Sequence, residues 1–160
     1  MKEIKIESTL YVFENVEELP KDAFTLMQKA IEAREKAYAP YSNFHVGAAL
    51  LLDNNEIITG NNQENASYPS GLCAERTAIY YAGSQFPDAK VVRMAISAGS
   101  KKNKTTSPIP PCGACRQAIA EYEVKQDTPI EIYFMGETGK VAKSKSLANL
   151  LPLIFDKSVL

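Results

Sequence analysis

Three cysteines in two short runs limit what this chain can become more than any other feature. Cys73 stands in LCAERTA (72–78), while Cys112 and Cys115 form a C-x-x-C pair in PPCGACRQ (110–117). The chain has no other cysteine, and an odd number cannot close a disulfide framework. In a reducing compartment the C-x-x-C spacing points to metal or redox chemistry instead. Glu75 follows two places after Cys73, and an arginine stands beside each run, Arg76 and Arg116. Whatever the fold, it has to carry these two separate segments to one place if the thiols are to act together.

Composition narrows the kind of fold that has to do this. At 160 residues the chain suits one domain over 1–160, with residues 1–20 as an N-terminal arm or extra strand. Hydrophobic residues make up 45% and charged residues 23%, the balance of a soluble globular protein. The formal charge of −1 draws the chain to neither nucleic acid nor an anionic membrane, and a nucleic-acid binder usually carries a basic face. The opening MKEIKIESTLYVF breaks each apolar run with Glu or Lys and does not read as a signal peptide. No apolar run approaches the roughly 20 residues that span a bilayer. The expectation is a cytoplasmic protein with no membrane and no nucleic-acid partner.

The hydrophobic pattern alternates between strand and helix. KIESTLYVFENV (5–16) has β character. Phe24, Met27 and Ile31 at helical spacing predict a helix over about 20–38, which Pro40 stops because the residue before proline is pushed out of the helical region. FHVGAALLLD (44–53) and EIITGNN (56–62) read as two strands of a hairpin turned at DNNE. QENASYPSG is a loop, and a helix follows over about 71–84. KVVRMAISAG (90–99) reads as a central strand, and SKKNKTTSPIP (100–110) as a polar loop leading into a helix over about 112–123. TPIEIYFMG (128–136) and GKVAKS (139–144) follow as strands, and SLANLLPLIF (146–155) as a short terminal helix. There is no internal repeat, low-complexity tract or linker. After the hairpin the order is β-α-β-α-β, which implies a sheet covered by helices on both faces.

These elements place the cysteines. Cys73 falls in the first turn of one helix, with Ser70 as its expected N-cap. Cys112 and Cys115 fall in the first turn of another, on one face by their i,i+3 spacing. A helix N-terminus carries partial positive charge and free N–H groups, which stabilise thiolates. Three thiolates converging from two helix starts make a site for one Zn²⁺. Structural zinc is almost always closed by four protein ligands, and no fourth cysteine exists, so the expected site keeps a position open for catalysis. Glu75 is placed to reach a water there without ligating the metal, and to act as general acid and base. Three thiolates leave a Zn²⁺ centre at about −1, which weakens its effect on water. A guanidinium from Arg76 donating to the sulfurs would draw that charge away.

These residues resemble the zinc-dependent deaminases, whose signature stands here in its cysteine-first form, C-A-E with P-C-x-x-C. The likeness extends to the free-nucleoside cytidine deaminases. APYSNFHVGAAL (39–50), GNNQENASYPSGLCAERTA (60–78), PCGACRQAIAEY (111–122) and LLPLIF (150–155) are similar to that family's blocks, in order, across roughly residues 22–155. The resemblance implies a three-layer α/β/α sandwich around a five-stranded mixed sheet, and a homotetramer, the usual form of the three-cysteine branch. It implies that Cys73, Cys112 and Cys115 hold the zinc and that Glu75 shuttles protons. It further implies that Phe44 packs on the base, that Asn62 and Glu64 bind the ribose 3′-hydroxyl, and that backbone around Ala74 binds the pyrimidine carbonyl. Tyr68 and Phe155 would enter a neighbouring subunit's site. The implied activity is hydrolytic deamination of free cytidine and deoxycytidine in pyrimidine salvage. Three features depart from the family's pattern: Gly60-Asn61-Asn62 where Gly-Cys-Asn is common, a longer 100–110 loop, and the first 20 residues. The last two touch packing between subunits rather than the chemistry.

Each of these residues also has an ordinary reading. His45, the only histidine, could in principle be a fourth ligand, but beside Phe44 it reads as facing the substrate's surroundings or solvent. Phe44 alone would be core, and only its SNF-x-VGA setting favours a stacking role. Glu64 alone would be a solvated loop residue and Phe155 a helix-anchoring one, while Lys101, Lys102 and Lys104 read as a solvated charge run. Two rival functions remain. One is deamination of another small aminopyrimidine such as blasticidin S, opposed by the Asn62-x-Glu64 pair. The other is a non-enzymatic zinc-stabilised or RNA-binding module, opposed by Glu75, the missing fourth ligand and the net charge.

Overall fold

Alternation along two long central strands decides the layers. In the computed structural model, which describes residues 1–160, β2 (Phe44–Leu52) pairs antiparallel with β4 (Val91–Ser100) along almost its whole length. The chain turns after β2 into β3 (Ile57–Asn61), with Asn55 in the left-handed region at φ 67, a conformation asparagine tolerates. Ala48, Leu50 and Leu52 of β2 join Met94 and Ile96 of β4 in one apolar cluster. Ala49 and Ala95, pointing the other way, belong to a second cluster. Strands buried on both faces need apolar residues at nearly every position, and that is the composition of both segments.

The two clusters are closed by helices. α1 (Lys21–Arg34) lays Ala23, Leu26, Met27 and Ala30 against one face. α2 (Ala74–Gln85) and α3 (Gly113–Gln126) lay Ala74, Ala78, Ile79, Ile119 and Ala120 against the other. Two glycines allow the close approach. A Cβ on Gly47 would come within 2.0 Å of the Ala30 carbonyl oxygen in α1, and one on Gly60 within 2.6 Å of the Ala78 nitrogen in α2. β5 (Glu131–Met135) pairs parallel with β4, and β6 (Val141–Ser144) antiparallel with β5. The expected three-layer α/β/α sandwich with a mixed sheet is therefore present, with six strands rather than five. The additional one is β1 (Tyr11–Phe13) from the N-terminal arm, paired with β6 and anchored by Phe13 stacking on Tyr133 at 6.4 Å. No helix is long and apolar enough to cross a membrane.

Because β2 is antiparallel to both β3 and β4, those two strands run the same way and the chain leaves both at one end of the sheet. α2 and α3 start from that end, which brings the cysteine runs together. The local details differ from the sequence reading in three places. α1 stops at Arg34 rather than near Tyr38, because Tyr38 is drawn into backbone bonds with the loop after β3: its N–H donates to Asn62 O at 3.0 Å, and Glu64 N–H donates to its carbonyl at 2.9 Å. Cys73, not Ser70, is the N-cap of α2, since Ser70 ends a short 3₁₀ turn of its own (Tyr68–Ser70). The run 146–155 forms no α-helix but a single 3₁₀ turn, Leu147–Asn149, and then irregular chain. Pro152 cannot donate to a continuing helix. The segment is instead pinned from α3, where Glu123 accepts from Ser146 Oγ at 2.6 Å and from Leu147 N–H at 2.9 Å.

The glycine packing has a direct test. Gly60→Ala places a methyl group against α2 backbone, which cannot step aside as a side chain could, so unfolding stability should fall by about 1–3 kcal/mol. A thermal midpoint equal to wild type would mean that α2 does not lie this close to β3.

Candidate active site

Cys73 and Cys112 are the N-cap residues of α2 and α3, and Cys115 is the third residue of α3. Exposure falls in the order Cys112, Cys73, Cys115, the last being fully buried. All three sulfurs lie within 4.8 Å of one another, with Cys73 and Cys112 at 4.0 Å. Tetrahedral zinc at Zn–S distances of about 2.3 Å requires sulfurs about 3.8 Å apart, so the cluster fits that ion after a small inward adjustment. No fourth side chain joins the group. His45 is not a ligand: it pairs with Gly99 and lines a small cavity with Arg34, Glu35 and Glu137, on the α1 side of β2. Three protein donors and an open position result.

The charges around the sulfurs are uneven. A hydrogen bond from the Cys115 thiol, with further ones from Arg76 and Cys112, lowers the Cys73 pKa to about 5 against burial. Cys115 is pushed up by that same bond, by burial and by the negative groups around it. Arg76 donates to the Cys73 sulfur at 3.7 Å, and its Nε is the one buried side-chain nitrogen or oxygen without a partner, a donor to spare beside the thiolates. Glu75 is only 4% exposed. Burial raises its pKa, and the Cys73 charge adds to the rise, so its carboxyl can hold a proton where an exposed one would not. Arg116, beside the other cysteines, does something else. It donates to the Pro111 carbonyl at 2.8 Å and the Leu150 carbonyl at 2.9 Å, tying the approach to Cys112 to the C-terminal segment.

A cavity of about 450 Å³ opens beside Cys73 and Arg76 and is also lined by Asn62, Glu64 and Tyr68. Five of the residues singled out from sequence therefore share one space. Asn62 bridges back to β2, accepting from Val46 N–H at 2.7 Å and donating to the Phe44 carbonyl at 2.9 Å. Glu64 accepts from Tyr41 N–H at 2.9 Å and from the Ser42 hydroxyl. Alternation puts Phe44 on the same face of β2 as Val46 and Ala48, toward α2 and α3. Ala74 is the first residue of α2, and Thr77 N–H to Cys73 O at 3.0 Å is the first helical bond, so the Ala74 N–H is among the free donors of the helix start. Tyr68 lines the cavity of its own chain, edge-on to Tyr41 at 6.0 Å, yet is 75% exposed. Phe155 is 62% exposed and lines no part of this cavity, and its carbonyl is held by Gln117 at 2.8 Å. A second cavity of about 250 Å³ lies at the far ends of α2 and α3, around Phe86, Tyr122 and Lys125, away from the sulfurs. Sequence reasoning missed Ser42. The signal was there in PYSN, a turn tetrapeptide whose serine favours bonds to nearby backbone.

Comparison with known proteins agrees with this geometry. Residues 20–128 match the family model described as the cytidine and deoxycytidylate deaminase zinc-binding region. The chain belongs to that deaminase family. The cytidine deaminase of Halalkalibacterium halodurans is 43% identical over 134 residues, covering 84% of this chain and 94% of that one. That of Sporosarcina psychrophila is 40% identical over 136 residues, covering 85% and 93%. The crystal structure of cytidine deaminase from Burkholderia pseudomallei superposes with a TM-score of 0.70 at 39% identity, covering 82% of this chain and 97% of that one. As a member of this zinc-binding family the protein takes one zinc per chain, and the three-sulfur cluster is the group of side chains able to hold it.

The unequal thiols can be read in metal-free protein. The Cys73 pKa lies far below its ordinary 9.0, so this thiol's contribution to apo stability is complete above that value and is lost as the pH falls through about 5. Ultraviolet titration should show one thiolate appearing with a midpoint near 5. The midpoint should move up in Arg76→Ala. A first thiolate appearing only above neutral pH would refute this account of the site's electrostatics.

Proposed function

We propose that the chain deaminates free cytidine and deoxycytidine hydrolytically, giving uridine and deoxyuridine with release of ammonia, as a step of pyrimidine salvage in the cytoplasm. The observation that carries this reading is the buried Glu75 carboxyl beside three sulfurs held at two helix N-termini. Bound zinc supplies Lewis acidity, lowering the pKa of water toward neutrality. Glu75 does the proton work. Its raised pKa suits a group that takes one proton from the attacking water and delivers it to N3 of the ring, then takes the second from the hydroxyl left on C4 and delivers it to the amine as the C4–N bond breaks. Arg76 draws charge from the sulfurs and so preserves the acidity of the centre.

The substrate is held by the surrounding elements. Phe44 packs on the base, the free Ala74 N–H donates to the pyrimidine carbonyl, and Asn62 with Glu64 take the sugar 3′-hydroxyl. The whole chain works as a single domain and assembles as a homotetramer, in which Phe155 and Tyr68 complete a neighbour's pocket. The exposure of both aromatic rings in one chain supports that arrangement. Loss of cytidine's ultraviolet absorbance on mixing with pure zinc-loaded protein is the primary test of the reaction. Sedimentation tests the assembly.

The role of Glu75 separates chemistry from binding. Glu75→Gln should keep its zinc and its fold while turnover drops by about 10²–10⁴-fold, the usual worth of a positioned proton carrier. A zinc-loaded variant turning over at the wild-type rate would remove Glu75 from the mechanism.

Substrate choice gives a further check. A phosphate on the 3′ oxygen would remove the hydroxyl proton that Glu64 accepts and set negative charge against a carboxylate whose own donors are Tyr41 and Ser42 rather than a cation, and such like-charge juxtaposition costs several kcal/mol. Cytidine 3′-monophosphate and a cytosine-containing DNA strand should therefore react more than about a hundredfold slower than cytidine or deoxycytidine. Comparable rates on the DNA strand would overturn the free-nucleoside reading.

A further inference from the structure

The turn that precedes β2 and the loop that follows β3 meet at one carboxylate. Glu64 Oε2 accepts from Tyr41 N–H at 2.9 Å and from Ser42 N–H at 3.3 Å. Its Oε1 accepts from a single side chain, the Ser42 hydroxyl. The same Ser42 oxygen accepts from Phe44 N–H at 3.0 Å. A serine oxygen has one proton and two lone pairs. With Phe44 N–H occupying a lone pair, the hydroxyl proton is left to point at Glu64, so the relay has a fixed sense from Phe44 through Ser42 to the carboxylate. The turn itself is held rigidly. Asn43 adopts φ 57, its N–H donates to Ala39 O at 3.1 Å, and its carbonyl accepts from Lys101 N–H at 3.1 Å. Ser42, Glu64 and Asn62 all line the 450 Å³ cavity beside Cys73.

We propose that Ser42 is a positioning residue of this enzyme, orienting Glu64 toward the sugar hydroxyl of the nucleoside and coupling that contact to the strand start that carries Phe44. Three of the roughly four acceptor positions of the carboxylate are taken by Tyr41 and Ser42, which leaves Oε1 one lone-pair direction for a ligand donor. Without the hydroxyl, only backbone N–H groups on Oε2 remain, and the carboxylate can turn about that oxygen. Ser42 touches neither the base nor the reacting carbon and acts only through its two neighbours. The inference rests on the reading of Glu64 as the sugar contact, so the experiment separates the two.

Cytidine and 3′-deoxycytidine, which lacks the hydroxyl in question, are compared on zinc-loaded wild type, Ser42→Ala, Ser42→Thr and Glu64→Ala. Zinc content and thermal midpoint are measured on each protein. Removing one hydrogen bond to a charged group should cost Ser42→Ala about tenfold in kcat/KM on cytidine, mostly in KM, but less than about threefold on 3′-deoxycytidine. Ser42→Thr, which keeps the hydroxyl, should recover most of the loss. Equal losses of Ser42→Ala on both substrates, or no loss on either, overturn the proposal while Glu64→Ala still discriminates between them. If Glu64→Ala itself fails to discriminate, the sugar contact is wrong, and the role of Ser42 falls with it.

Discussion

Three sulfurs held within 4.8 Å of one another resist joint ionisation until a cation sits among them, and much of this molecule answers that repulsion. Two helix N-termini supply partial positive charge, since Cys73 and Cys112 are themselves the cap residues of α2 and α3. Arg76 supplies a full charge to the side of Cys73. The hydrogen bond from the Cys115 thiol, joined by Arg76, lowers the Cys73 pKa, and that same bond with burial and the nearby negative groups raises Cys115, so the two move in opposite directions. Zinc satisfies the remainder. Its binding and the fixing of both helix starts are parts of one equilibrium.

The sheet sets where those starts can be. Since β3 and β4 run parallel on either side of β2, their exits share an edge, and the helices that follow begin side by side. How near they sit depends on small residues: Gly60 under Ala74 and Ala78, and Ala120 in the same buried cluster. The C-terminal segment is fastened to the same helix that carries the paired cysteines, through Glu123 and Arg116. With Gln117 on the Phe155 carbonyl, three polar anchors on α3 therefore transmit the position of Cys112 and Cys115 to the last part of the chain, where the Phe155 ring stands exposed.

The sugar side of the cavity is built differently, from loops rather than helix ends. Asn62 and Glu64 follow β3, and each is bonded back to the start of β2. Those bonds make the two loops one unit, so a contact at Glu64 is not independent of the position of Phe44. Rigid placement of polar groups before a ligand arrives is what reduces the entropy lost on binding.

Much of the site was legible in the sequence because its chemistry is local. Ligand type and spacing at Cys73, Cys112 and Cys115 require only a few neighbouring residues to read, as does Glu75 two places from a ligand. The apolar runs of β2 and β4 likewise announced themselves, since burial on both faces leaves a continuous signature. The end of α1, the cap of α2, the pairing partner of the N-terminal strand and the path of residues 146–155 were not legible. The cap of α2 is displaced by a local 3₁₀ turn at Tyr68–Ser70, and the other three depend on hydrogen bonds to segments far away in the chain: Tyr38 to Asn62 and Glu64, β1 to β6, Glu123 to Ser146 and Leu147. Ser42 belongs with them, because nothing in PYSN says which carboxylate its hydroxyl will meet. The sequence by itself determined the metal chemistry and the central strands, whose patterns repeat within a few residues. Only the tertiary structure decided which distant loops close over the site, because long-range polar pairing leaves no periodic trace in the chain.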